Sequence, residues 1–210
     1  MASLEAKEET VTEPKTGVNF PRALHDGLEM MGVGLRKKNL LGLVPLKIYA
    51  FGIYADKERL REIVKAKFES APSEPKSELY NVAIDADMAT VARLVVVYGG
   101  LNMGTVRKIF NDNLGASIKK LSQGENNDEL LQRVLGEVRE DLKLPPGSVI
   151  EIAKLPGFVL QTKVMDEVVS RVESEVLCRA YFNMYLGDDP LDPEAKDRFG
   201  CSLLSLFNNQ

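Results

Sequence analysis

Arg36 and Tyr49 are the residues whose types and spacing best suit a chemical task. Arg36 closes the run Gly32-Val33-Gly34-Leu35-Arg36, and Tyr49 lies within the β-prone run LKIYAFGIYA at 46–55. If the two runs form a hairpin centred near Gly42-Leu43, positions 36 and 49 are equidistant from its centre and face each other. Directly opposed residues share a sheet face, with Cβ atoms about 5 Å apart. Gly32 and Gly34 fall on the face of Arg36 and leave volume for a ligand or for another backbone. A guanidinium beside a phenol hydroxyl above that volume would make a carboxylate clamp. The competing reading makes Arg36-Lys37-Lys38 a solvated strand end and Tyr49 a core residue, because most short charge runs are surface.

Other reactive residue types are sparse. His25 is the only histidine among 210 residues, which excludes a His-based metal cluster and any catalysis that needs two histidines. It has Asp26 beside it but no nucleophile in a triad arrangement, so it reads as a surface-loop residue. Cys178, in the apolar run VLCRAYF, and Cys201 read as small core residues rather than nucleophiles. Two cysteines are also too few for a secreted disulfide scaffold. The segment GGLNMG at 99–104 has the wrong spacing for a phosphate loop and reads as a strand-to-helix turn. Neither a metal site nor a cofactor is expected.

Lys and Arg number 27 against 31 Asp and Glu, a net charge of −4, with 44% hydrophobic and 28% charged residues. These are the proportions of one ordinary globular domain. A pI near 5.3 without tryptophan argues against nucleic-acid binding. No stretch approaches the roughly 20 apolar residues of an integral membrane segment. Residues 1–17 are polar and charge-mixed. They read as a disordered tail, neither a secretory signal nor an acid-poor transit peptide, with a single domain over 18–210.

The elements that must position Arg36 and Tyr49 follow from periodicity. Strands are expected over 31–36, 46–55, 79–85 and 91–99, then a hairpin over 148–155 and 158–164 and a further strand at 167–172. Helices are expected after Asp56, over 104–121 and 128–142, over 174–186 closed by Gly187, and after Asp192-Pro193. Strands and helices come in blocks, the pattern of an α+β fold with an antiparallel sheet and helices on one side.

The combination MGVGLRKKN and PLKIYAFGIYAD resembles the signature of the chalcone isomerase fold, a G-x-G-x-R strand followed by a K-x-Y-x-x-G-x-Y strand. CRAYFNMYLGDDPLDPEAK is similar to that family's helix ending in Leu-Gly-Asp and its proline-started last helix, so the resemblance spans most of 18–207. It implies an open-faced β-sandwich, a large antiparallel sheet with helices packed on one side. The family divides into flavonoid isomerases and non-catalytic members that bind fatty acids in plant plastids.

Arg36 matches the isomerases' arginine, whereas Tyr49 and Met184 stand where they carry threonines. Their helical tyrosine and asparagine fall around 103–113, where Thr105, Asn111, Asp112 and Asn113 are all candidates. These departures imply a non-catalytic protein with no catalytic residues, and the Arg36/Tyr49 pair resembles the carboxylate-binding pair of the fatty-acid-binding branch, which implies a fatty acid held by these two residues. Gly34, Thr105 and Met184 would line the pocket, methionine suiting an adaptable apolar tunnel. The resemblance further implies a monomer in the chloroplast stroma, with no transit peptide in this chain. The alternatives are an isomerase with an altered pocket and a non-catalytic enhancer of flavonoid synthesis.

Overall fold

Val11, Val18 and Phe20 are the first apolar side chains with partners to pack on, and they draw the start of the chain into a hairpin. In the computed structural model, which describes residues 9–38, 44–122 and 128–208, β1 (Thr10–Thr12) pairs antiparallel with β2 (Asn19–Pro21). Phe20 is buried with Val33 and Ala50, and Val11 and Val18 pack against them. At the turn the buried carboxylate of Glu13 accepts from the Thr16 hydroxyl at 2.6 Å and the Lys15 N–H at 3.2 Å. The expected tail is therefore corrected over 9–17. A few apolar contacts and a satisfied turn offset the ordering entropy that composition alone set against this segment. Residues 1–8 lie outside the described residues.

The main sheet is antiparallel, with β3 (Glu29–Lys38), β4 (Leu46–Ala55), β5 (Thr90–Val96), β6 (Val149–Leu155), β7 (Val159–Val164) and β8 (Glu167–Glu173) in that spatial order. Gly32 to Arg36 pair with Ile53 to Tyr49, so Arg36 and Tyr49 face each other as the hairpin arithmetic requires. A bulge between Arg36 and Lys37 shifts the register beyond them. The expected turn at Gly42-Leu43 lies outside the described residues.

One face of this sheet carries Tyr49, Phe51, Leu94, Ile150 and Ile152 into the main core, where they meet the helices. These are α1 (Lys57–Lys67), α2 (Ser77–Asp85), α3 (Met103–Leu121), α4 (Asp128–Val134), α5 (Glu175–Leu186) and α6 (Pro193–Ser205). The architecture is the expected α+β open-faced sandwich. Two elements differ from expectation. Residues 79–85 are helical, since Leu79, Tyr80, Ala83 and Ile84 sit at helical spacing and are buried on one side. A short apolar run does not distinguish the two periods. The helix expected over 128–142 stops at Val134, because Gly136 takes a left-handed φ of +56°.

Helix α6 closes the free edge of β3. The Leu35 N–H donates to Asp192 Oδ2 at 2.8 Å, Arg198 Nη1 donates to the Val33 carbonyl at 3.0 Å, and the Ser202 hydroxyl donates to the Met31 carbonyl at 2.7 Å. Asp192 also caps α6 through the Ala195 N–H. The close approach needs glycine, because a Cβ on Gly34 would collide with Ala195 and the Phe51 ring. The space beside Gly34, expected to belong to a pocket, is filled by Ala195, Phe51 and Asp192. The volume left by the glycines is occupied by another backbone. Asp192→Ala removes a cap and strands a buried N–H, and should cost about 2–4 kcal/mol in urea unfolding.

Lys154 is fully buried on the helix side of β6. Its Nζ donates to the carbonyls of Ala83 and Ile84, both at 3.0 Å, at the end of α2. Desolvation pushes its pKa down from 10.5 to about 8. Between those values the unfolded chain binds more protons than the folded one, so stability rises with pH there. The wild type should therefore gain roughly 2–3 kcal/mol on Lys154→Met between pH 8 and 10.5, as read by chemical unfolding at each pH.

Candidate ligand-binding site

Arg36 emerges from β3 beyond the part of the strand that α6 covers, and its side chain turns toward α3. Its Nη2 donates to Asn113 Oδ1 at 3.0 Å. Asn113 Nδ2 donates to the Ile109 carbonyl at 2.7 Å, which orients the amide so that its oxygen meets the guanidinium. One residue pair further along, Lys38 and Asp112 form an ion pair at 2.9 Å. Arg36 Nε, by contrast, is buried and has no hydrogen-bond partner. A buried donor of a charged group left unpaired is costly, so this nitrogen is poised for an acceptor.

Tyr49, across from Arg36, is the second member of the site and begins a chain of buried phenols. Tyr185 and Tyr181, one turn apart on α5, place their hydroxyls 3.1 Å from each other, and Tyr185 in turn interacts with Tyr49. Tyr185 also packs edge-on against Phe51, with ring centroids 4.9 Å apart. Burial pushes the Tyr49 phenol above its ordinary range, with Arg36 and Tyr185 partly offsetting it. Burial raises Tyr181 and Tyr185 well above theirs. All three are protonated at neutral pH, and the two hydrogen bonds of the chain use two of the three O–H protons; when Tyr181 donates to Tyr185 and Tyr185 to Tyr49, the Tyr49 hydroxyl is left to donate outward.

Beneath α3 is an apolar cavity lined by Ile48, Tyr49 and Leu94 from the sheet and by Val106, Ile109 and Phe110 from the helix. Its volume is about 10 Å³, no more than a single water requires. Thr105 and Met184 are the other expected pocket-lining residues. Thr105 belongs to the N-cap of α3, where its N–H and hydroxyl both donate to Asn102 Oδ1. Met184 lines a separate polar cleft of about 220 Å³ between α3 and α5, with Asn113, Ser117 and Asp189. Neither lines the apolar cavity. Of the four candidates around 103–113, Asn113 meets Arg36, Asp112 pairs with Lys38, and Asn111 is exposed.

Tyr181 and Tyr185 were not among the expected site residues. Their i, i+4 spacing puts them on one face of α5 and was the available signal. His25 lines a cleft with Asp26, Arg93 and Glu151, apart from the Arg36 site.

A six-stranded antiparallel sheet with helices packed on one face is the chalcone isomerase type of fold. The crystal structure of an Arabidopsis thaliana fatty-acid binding protein superposes with a TM-score of 0.86 at 37% identity, covering 94% of this chain and 98% of that one. The chain belongs to the chalcone isomerase-like family. It is 49% identical over 197 residues to chalcone isomerase-like protein 1 of Humulus lupulus, covering 93% of this chain and 92% of the relative. It is also 37% identical over 211 residues to fatty-acid-binding protein 1 of Arabidopsis thaliana, covering 99% and 75% respectively. No family model matches the chain.

The state of Tyr49 can be read by alkaline difference absorbance. Because burial holds its proton above the usual tyrosine range, Tyr49→Phe should leave the phenolate signal of the folded protein at pH 10 unchanged. A loss of about one tyrosine's signal would show that the phenol ionises normally.

Proposed function

We propose that this protein is a non-catalytic binder of free fatty acids that acts as a monomer in plastid fatty-acid metabolism, in the chloroplast stroma. The carrying observation is the buried, unpartnered Nε of Arg36 beside the protonated phenol of Tyr49. A carboxylate accepts from both groups, and the charge of the guanidinium makes its bond the stronger of the two. The names of the Arabidopsis relative and of the structural neighbour, both fatty-acid-binding proteins, support the ligand class. The plant relatives and the family resemblance support the compartment.

The acyl chain continues from the carboxylate into the apolar space beneath α3. Since that cavity is only about 10 Å³, entry of the chain moves Val106, Ile109 and Phe110 away from Ile48 and Leu94. Burying about ten methylenes contributes up to roughly 8 kcal/mol before the costs of ordering and of displacing the helix side chains. Arg36 contributes about 1.5–3 kcal/mol more and selects a free acid over neutral lipids. Tyr49 and Met184 in place of the isomerases' threonines favour binding over catalysis. So does a phenol whose proton is held by burial, since it is a poor base at neutral pH.

Mass analysis of organic extracts from the purified protein, with displacement of a fluorescent acyl probe, tests the ligand. Recovery of fatty acids and displacement by them are expected. Absence of both would overturn the proposal, as would chalcone cyclisation above its spontaneous rate. Arg36→Ala should weaken fatty-acid binding by roughly 10- to 150-fold while changing binding of the matching fatty alcohol by less than about threefold.

A further inference from the structure

The helix layer stops short of the tip of the β7–β8 hairpin. There Val164, Met165 and Val169 form one wall of a groove of about 430 Å³, and Val138 and Leu142 from the segment after α4 form the other. Met165 is 44% exposed, one of the five large apolar side chains most exposed among the described residues. The groove lies at the far edge of the sheet from β3, five strands and roughly 24 Å away at about 4.8 Å per strand.

The turn that presents Met165 is itself unfavourable. Met165 and Asp166 both have left-handed backbones, with φ of +48° and +69°. A two-residue hairpin turn with both central residues at positive φ prefers Asn-Gly or Asp-Gly, and a methionine at its first position is strained. The fold therefore holds an exposed, adaptable thioether where asparagine would be more stable. Sites of this kind, where a local rule is broken without structural gain, are where function is expected.

Charge indicates what fits the groove. Glu137 and Glu167 line it, and neither has an ion-pair partner among the described residues. No lysine, arginine or histidine lines the groove. A free fatty acid, an anionic membrane leaflet and the same groove of a second copy would all bring like charge to this rim.

We propose that the groove docks a segment of a partner protein that presents apolar side chains flanked by lysine or arginine. The apolar side chains fill the space against Val164 and Leu142, and the basic groups meet Glu137 and Glu167. Such a contact lies apart from the Arg36 site, so a partner can engage the protein while a ligand is held.

The test uses the full chain and a fluorescein-labelled peptide of alternating leucine and lysine, with the leucine–glutamate peptide and anionic phosphatidylglycerol vesicles as controls. The lysine peptide should bind by anisotropy, weaken about tenfold or more as salt is raised to screen the pair, and shift amide resonances at 137–142 and 164–169. Glu137→Lys with Glu167→Lys should reduce its affinity at least about tenfold, as loss of two charge pairs predicts. Met165→Asn should also weaken binding while raising Tm by about a few degrees through relief of the turn. Fatty-acid affinity should be unchanged in both variants. Absence of lysine-peptide binding, equal binding of the glutamate peptide, insensitivity to either variant, or resonance shifts confined to the Arg36 site would each overturn the proposal. Groove-dependent binding to the vesicles would also overturn it, in favour of a membrane surface.

Discussion

Two absent side chains govern the geometry of this protein. At Gly32 and Gly34 the backbone of β3 is bare, and α6 lies directly against it, with Ala195 and Phe199 in the space that side chains would need. That contact lets Asp192, Arg198 and Ser202 reach the outward N–H and C=O groups of an edge strand that would otherwise be a template for pairing with another chain. It also sets where Arg36 can go. With α6 over the glycines, the next residue on the same face, Arg36, turns toward α3 and meets Asn113 where that cover ends.

Two cations with buried nitrogens, Lys154 and the partly buried Arg36, show how differently a fold can treat the same cost. Lys154 lies among apolar residues, yet it donates to the terminal carbonyls of α2 and lies over the Phe182 ring. It ties a sheet strand to a helix end and has a structural task. Arg36 meets Asn113 with one nitrogen and leaves another unpaired beside a protonated phenol. The unsatisfied donor is affordable only where the remaining contacts over-determine the geometry, and here Asn113 and the Lys38–Asp112 pair do so. Under the proposed function, an acceptor arriving at Arg36 relieves a cost that the unliganded fold carries, with charge as the selective element and the apolar space as the source of affinity.

The two edges of the sheet divide the work. The β3 edge is covered by helix side chains and carries the Arg/Tyr pair. At the β8 end the helix layer is incomplete, and a strained turn holds an apolar side chain in solvent near two carboxylates that have no ion-pair partner among the described residues. The separation follows from the topology, since six strands in sequential order put the first and last elements of the sheet at opposite ends.

Much of this was legible in the chain. The hairpin arithmetic placed Arg36 opposite Tyr49, because side-chain alternation and register are local properties of two neighbouring strands. The cap of α6 at Asp192 and the blockwise α+β order were legible for the same reason. Periodicity failed where the window was short, as at 79–85, or where a single left-handed glycine ended a helix, as at 136. It also failed for the tail, whose order comes from a few contacts made with residues far along the sequence. Gly34, Thr105 and Met184 were assigned to a pocket by type and family position. Which of them face the cavity depends on how α3, α5 and α6 are stacked on the sheet. The sequence by itself determined the strand pair and the chemistry of its two opposed residues. Only the tertiary structure decided that α6 fills the glycine-made space, that Asn113 orients Arg36, and that Tyr185 extends the site, because each of these contacts joins segments about 70 to 160 residues apart, whose approach no local pattern encodes.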